Sequence, residues 1–143
     1  MLVLTRDVYD AILDHATEAA PHEACGVLAG SRGLANPDAA TASSAHPTAN
    51  VSETPRVRYE IDPEELLSVV DRIETADDNV VGFYHSHPAG PASPSDTDHR
   101  KATWVDYHYV IVSLAGRTPT LDAWLWTGER FERDAVSVPA TDE

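Results

Sequence analysis

His85-Ser86-His87-Pro88-Ala89-Gly90-Pro91-Ala92-Ser93-Pro94-Ser95-Asp96-Thr97-Asp98 is the stretch on which the interpretation of the whole chain turns. It continues the run Asn79 to Tyr84, and together Asn79 to His87 has the composition of a strand. Residues two apart on a strand face the same way, so His85 and His87 point together, their backbones about 7 Å apart. Pro88 ends the strand, and a loop of Pro, Gly, Ala and Ser runs to Pro94. A short helix is expected from about Ser95 to Trp104. Two neutral imidazoles and one carboxylate at that helix start leave the fourth position of a tetrahedral zinc ion open, as catalytic zinc sites require. Each part also has a plainer account. A lone His-x-His at a strand end is commonly solvated, and Ser95-x-x-Asp98 is a capping pattern that needs no metal. Asp96 is acidic too, so spacing alone does not choose between it and Asp98. The arrival of an acidic helix start soon after His-x-His favours the metal.

Upstream, Leu2 to Leu4 is a short apolar strand. Thr5 is a good N-cap, and Val8, Ile12, Leu13 and Ala16 recur at helical spacing until Pro21 stops the helix. After His22-Glu23, the run Ala24 to Gly30 is a buried strand. Residues 31 to about 55 are rich in Ala, Ser, Thr, Asn and Pro, and are expected to form a long loop with one weak strand near His46 to Val51. Val57 to Ile61 is expected as a strand. Asp62-Pro63-Glu64-Glu65 is a strong helix start, with Leu66, Leu67, Val70 and Ile73 as the apolar face. Downstream, strands are expected over Tyr107 to Leu114, Leu121 to Trp126 and Phe131 to Val138. The order predicts an α/β domain with a mixed sheet over residues 1–138, followed by a disordered tail at 139–143.

The chain has 143 residues, enough for one core. Its formal net charge of −14 comes from 24 acidic residues against 10 basic ones, with Lys101 the single lysine. Such a chain repels nucleic-acid phosphates, so a nucleic-acid partner is not expected. Abundant Ala, Asp, Thr and Val with almost no Lys resembles proteins of salt-loving archaea. No apolar stretch reaches the length of a membrane span, and the first residues carry no basic leader, so a cytoplasmic location is expected. The single cysteine, Cys25, excludes an intramolecular disulfide and a Cys-based structural zinc site. Cys25 and the tryptophans Trp104, Trp124 and Trp126 are expected to pack in the interior.

His85-Ser86-His87-Pro88, with Ser95 and Asp98 downstream and Glu23 in Glu-Ala-Cys-Gly-Val-Leu-Ala-Gly upstream, resembles the full motif of the JAMM (MPN+) zinc metalloproteases. Val81 to Tyr84 is similar to the strand that precedes the family's histidines, and the likeness spans roughly Thr5 to Leu114. The resemblance implies a cytidine-deaminase-like mixed sheet sandwiched by helices. It implies Zn2+ held by His85, His87 and Asp98, not Asp96. It makes Glu23 the general acid/base and Ser95 the oxyanion donor. The short, acidic chain is most similar to the archaeal desampylases in that family, which implies hydrolysis after the C-terminal Gly-Gly of ubiquitin-like small modifier proteins joined to target lysines. Val51 to Tyr59 would then offer a strand edge to the modifier tail. Relatives that trim the C-terminus of a sulfur-carrier protein, and relatives that keep the fold only as a scaffold, supply two alternatives. A related bacterial family once linked to DNA repair shares the loop ending, so the fold alone does not set the substrate.

Overall fold

Eight strands join into one mixed sheet in the computed structural model, which describes residues 1–33, 35, 36 and 38–140. In chain order these are β1 (Leu2–Leu4), α1 (Arg6–Ala19), β2 (Cys25–Arg32), β3 (Ala40–Thr48), α2 (Pro63–Thr75), β4 (Asn79–His87) and α3 (Asp96–Lys101). They are followed by β5 (His108–Ser113), β6 (Thr120–Trp126), β7 (Phe131–Asp134) and β8 (Val136–Ser137). Across the sheet the strands run β7-β6-β5-β4-β2-β3-β1-β8. β4 pairs parallel to β5 and antiparallel to β2, which places the end of β4 at the middle of the sheet.

Alternation sorts the side chains onto two faces. Leu28, Tyr84, Val110 and Val112 face α1 and join Val8, Ile12 and Ala16 in one apolar cluster. Val27, Phe83 and Tyr109 face the other way and pack with Val69 and Ile73 of α2. His85 and His87 follow Phe83 at intervals of two, so they share the α2 face. Gly26 is needed where Tyr84 crosses β2, because a Cβ there would overlap the phenol ring. That ring closes on α1 through a 2.6 Å hydrogen bond between the Tyr84 hydroxyl and His15 Nδ1.

Several sequence expectations need correction. The long segment after β2 contains β3, a nine-residue strand, and only His46 to Thr48 of the expected weak strand belong to it. Its residues are Ala, Ser, Thr, His and Pro, which carry little hydrophobic signal. The strand forms because it fits between β2 and β1, where Ala40, Ala42 and Thr48 are buried as small side chains. Leu34 and Pro37 of that segment lie outside the described residues. Val57 to Ile61 is not a strand, and Val51 to Tyr59 therefore offers no strand edge. The segment is a loop held by side-chain hydrogen bonds. In α2 the buried face is Val69 and Ile73, while Leu67 is 71% exposed. The expected strand Phe131 to Val138 divides at Ala135: β7 pairs with β6 and β8 pairs with β1, at opposite ends of the strand order. One residue cannot span an open sheet, so the sheet curls until its two edges approach each other around α1. The expected tail falls largely on Thr141 to Glu143, outside the described residues.

Candidate metal centre

The end of β4 and the start of α3 bring three ligand-type atoms together. His85 Nε2 and His87 Nε2 lie 3.1 Å apart, and Asp98 Oδ2 lies 3.1 Å from the first and 3.0 Å from the second. Both imidazoles are buried. Glu23 reaches the same place from the turn before β2. It is buried at 4% exposure, and one of its carboxylate oxygens lies within 4.8 Å of both histidine ligand atoms. Its Oε1 is buried without a hydrogen-bond partner.

The surrounding bonds show why the sequence converges here. The loop after Pro88 is pinned by three consecutive carbonyls. Gly90 O accepts from Ser113 Oγ at 2.6 Å, Pro91 O from His87 Nδ1 at 2.7 Å, and Ala92 O from Trp124 Nε1 at 3.1 Å. A carbonyl can only accept, so His87 carries a proton on Nδ1, and in its neutral form it presents a lone pair at Nε2. Ser95 caps α3 in a reciprocal box: Asp98 N donates to Ser95 Oγ at 3.0 Å, and Ser95 N donates to Asp98 Oδ2 at 2.9 Å. The cap thereby aims the Asp98 carboxylate at the histidines. Ser86, between the two histidines, accepts from Ala24 N at 2.8 Å through Oγ and donates its own N–H to Ala24 O. Glu23 is thus held beside the imidazoles by its neighbour's backbone. Tyr59 lies on the outer face of His85, ring centroids 4.4 Å apart and 25° from parallel.

The two imidazole nitrogens and the carboxylate oxygen lie within 3.1 Å of one another, and a cation can take the place of the protons they would otherwise share. A tetrahedral ion with ligands at roughly 2.0–2.2 Å separates its ligand atoms by about 3.4 Å. The observed triangle is close to that edge, and the donor set of two imidazoles and a carboxylate is the one catalytic zinc accepts. The residues fit the ion.

Electrostatics agree with that chemistry. Burial pushes the Glu23 carboxyl up to about 7, more than the His87 imidazole draws it down. Burial also opposes the Asp98 charge, but hydrogen bonds from His85 and His87 outweigh it and hold the carboxyl well below the usual carboxylate range. Burial lowers the His85 pKa, so that imidazole is neutral. Beside the histidines, a cleft of about 340 Å³ is lined by Glu23, Val57, His87, Gly90, Pro94 and Ser95 among others.

All five residues singled out from the sequence, Glu23, His85, His87, Ser95 and Asp98, meet at this place. Asp96 is exposed and contacts neither histidine. His22 is exposed, turned away from its neighbour Glu23. Cys25 is buried beside Thr48, its thiol pushed up to about 11 by burial, so it is an inert packing group. Trp126 packs in the α2-face cluster as expected. Trp124 does more, holding the loop at Ala92. Sequence reasoning missed Ser86, Tyr59 and Asn50, which act through backbone bonds and ring stacking. The signal that could have found Ser86 is its place between two ligands on a central strand.

Residues 5–127 match the family described as prokaryotic homologs of the JAB domain, Prok-JAB, and the chain belongs to that family. Over 141 residues it is 48% identical to the desampylase of Haloferax volcanii, covering 96% of each chain. It is 42% identical over 113 residues to the CysO-cysteine peptidase of Mycobacterium tuberculosis, covering 79% of this chain and 73% of that one. A solved structure from Desulfitobacterium hafniense superimposes with a TM-score of 0.86 at 31% identity, over 97% of this chain and 93% of the other. A JAB1/MPN domain protein from Archaeoglobus fulgidus shares the fold with a TM-score of 0.62 at 20% identity, over 94% and 96% of the two chains. No helix among the described residues is long and apolar enough to cross a membrane.

Proposed function

We propose that the chain is a zinc-dependent isopeptidase that releases ubiquitin-like small modifier proteins from target lysines, acting in the cytoplasm. The observation that carries it is the triangle of His85, His87 and Asp98 atoms with the unpartnered Glu23 oxygen beside it. The similarity to a desampylase over nearly the whole chain supports the substrate class.

His85, His87 and Asp98 hold the ion in this reading. When bound, zinc supplies Lewis acidity, which makes water a competent nucleophile near neutral pH. Glu23 removes a proton from the attacking water and later delivers it to the departing lysine amine. A carboxyl pushed up to about 7 by burial is suited to taking and giving a proton at that pH. Ser95 Oγ accepts from the Asp98 N–H, which leaves its own hydrogen free to donate to the oxygen of the carbonyl under attack. The cleft takes the extended Gly-Gly tail, whose lack of side chains permits close backbone approach. Arg56 and Val57 of the loop, and the Pro88–Pro94 loop opposite, form its walls.

The similarity to a CysO-cysteine peptidase favours a second substrate for the same chemistry, a linear extension at the C-terminus of a sulfur-carrier protein. The test incubates the zinc-loaded protein with a lysine-linked modifier conjugate and with a linear modifier fusion, and weighs the products by mass spectrometry. Release of intact modifier ending in Gly-Gly from the lysine conjugate is expected. Cleavage of the linear substrate alone would transfer the assignment to the second reading, and cleavage of neither would remove both.

A further inference from the structure

The loop between β3 and α2, residues 49–62, forms one wall of the cleft, and its apolar anchors, Tyr59 and Ile61, lie toward its α2 end. Val51 is 46% exposed and Val57 is 67% exposed. The rest of the loop is held by hydrogen bonds, and these converge on one side chain. Asn50 Nδ2 donates to Glu23 O at 3.0 Å and to Arg58 O at 2.9 Å, with Pro55 O at 3.5 Å. Asn50 Oδ1 accepts from Ser52 N at 3.0 Å and from Glu60 N at 3.1 Å. An amide has two N–H donors and two lone pairs, so this side chain is fully used. The partners also fix which end is nitrogen, since carbonyls need donors and backbone N–H groups need an acceptor.

The partners are not scattered. Arg58 O and Glu60 N flank Tyr59, the residue whose ring lies on His85. Glu23 O belongs to the residue that carries the unpartnered carboxylate, and Glu23 N donates to Pro55 O of the same loop at 2.7 Å. The next residue, Ala24, is bound through both its N–H and its C=O to Ser86. Glu23 is therefore clamped between β4 on one side and the loop on the other, and Asn50 supplies the loop half of that clamp.

We propose that Asn50 is a positioning residue that sets Glu23 and Tyr59 in register with the two histidines through a single side-chain amide. The inference rests on the isopeptidase reading above. It assigns Asn50 no contact with substrate. Its effect is transmitted through the Glu23 main chain, where a misplacement of about 1 Å can cost on the order of 100-fold in rate.

The test uses the full chain loaded with zinc and compares Asn50→Asp, Asn50→Ser and Asn50→Ala with the parent. Asn50→Asp keeps the shape and both acceptor contacts but cannot donate to Glu23 O or Arg58 O. The expected result is a 10- to 100-fold fall in kcat, on the order of the misplacement effect, with KM and zinc content little changed. The second measurement is independent of turnover. NMR of the His85 ring protons reads the ring current of Tyr59, and these resonances are expected to move toward unstacked positions in Asn50→Ala and Asn50→Asp. Ser52→Ala, which removes only a hydroxyl bonded within the loop at Thr54, is expected to leave both readouts in place. If Asn50→Ala does not fold, the other two variants carry the comparison. A folded Asn50 variant with unaltered kcat and unaltered His85 resonances overturns the proposal, as does a kcat loss without any movement of those resonances. Glu23→Gln is assayed in parallel. Full activity there would overturn the isopeptidase mechanism, while the His85 resonances would still decide the role of Asn50.

Discussion

Two buried histidine–aspartate contacts lie on opposite faces of the same sheet, and they serve different ends. On the α2 face, His85 and His87 share Asp98 at 3.0–3.1 Å. On the α1 face, His108 Nε2 meets Asp134 Oδ2 at 2.8 Å, and the amino group of Met1 lies 3.1 Å from the same oxygen. Distances and burial are alike. At the second place the carboxylate faces one imidazole and the Met1 amino group, which balances its charge. At the first, two imidazole nitrogens converge on one carboxylate oxygen, and a second carboxylate, Glu23, stands by with Oε1 unpartnered. Among the described residues, Glu23, His85 and His87 bring ligand-type atoms within 4.8 Å of one another, as do His85, His87 and Asp98, and no such group contains His108 and Asp134. A histidine beside an aspartate is therefore weak evidence for a metal. Two imidazoles and two carboxylates converging on one buried place are strong evidence.

The comparison can be broken most sharply at Asp98. Asp98→Ala should lose bound zinc and lower kcat/KM by about 1000-fold or more, because the ion that activates water is gone. Zinc content is read by elemental analysis, and an unchanged content would remove Asp98 from the ligand set. Glu23→Gln comes next. It should keep zinc and lower kcat by roughly 100- to 10,000-fold, the range for loss of a general acid/base. Ser95 tests two roles at once. Ser95→Ala should lower kcat by about 100-fold through the lost donor, and weaken α3 by about 1 kcal/mol through the lost cap. Ser95→Asp should restore the cap but not the rate. Recovery of the rate in that variant would show that only the cap mattered.

At the second cluster the effect should be on stability alone. Burial opposes the Asp134 charge, but its bonds to His108 and the amino terminus hold the carboxyl below its usual range. Its contribution is therefore present above the ordinary carboxylate pKa and is lost as pH falls through the lower folded value. Burial lowers the His108 pKa, more than Asp134 raises it. That residue folds neutral, so a penalty develops as pH drops below about 6.5, where the unfolded chain takes up the proton. His108→Gln should consequently flatten the loss of stability between pH 7 and pH 5 in urea melts, with zinc content and turnover at pH 7.5 unchanged. An equal slope in parent and variant would contradict the assignment. The smallest effect belongs to Asp96→Asn, which should alter kcat/KM by less than about twofold, as expected for an exposed surface change.

The same contrast explains what the sequence made legible. The three proposed ligands lie within fourteen residues, His85 to Asp98, on a strand end and a helix start whose periodicity and capping are local signals. β1, α1, β4, β5 and β6 emerged for the same reason. Glu23 is far away in sequence and was found through its resemblance to a family motif, since a single glutamate before a strand says nothing on its own. β3 was missed because Ala, Ser and Thr satisfy a strand only when neighbours on both sides cover them. The break at Ala135 was missed because curling of a whole sheet leaves no local trace. Asn50 and Tyr59 work through backbone carbonyls and a ring face assembled by the fold, and no spacing rule anticipates them.

The most direct test of the central claim is anomalous diffraction at the zinc edge from a crystal of the zinc-loaded protein. The account predicts one strong peak within about 2.0–2.2 Å of His85 Nε2, His87 Nε2 and Asp98 Oδ2. A peak at His108 and Asp134, or none at the end of β4, would contradict it.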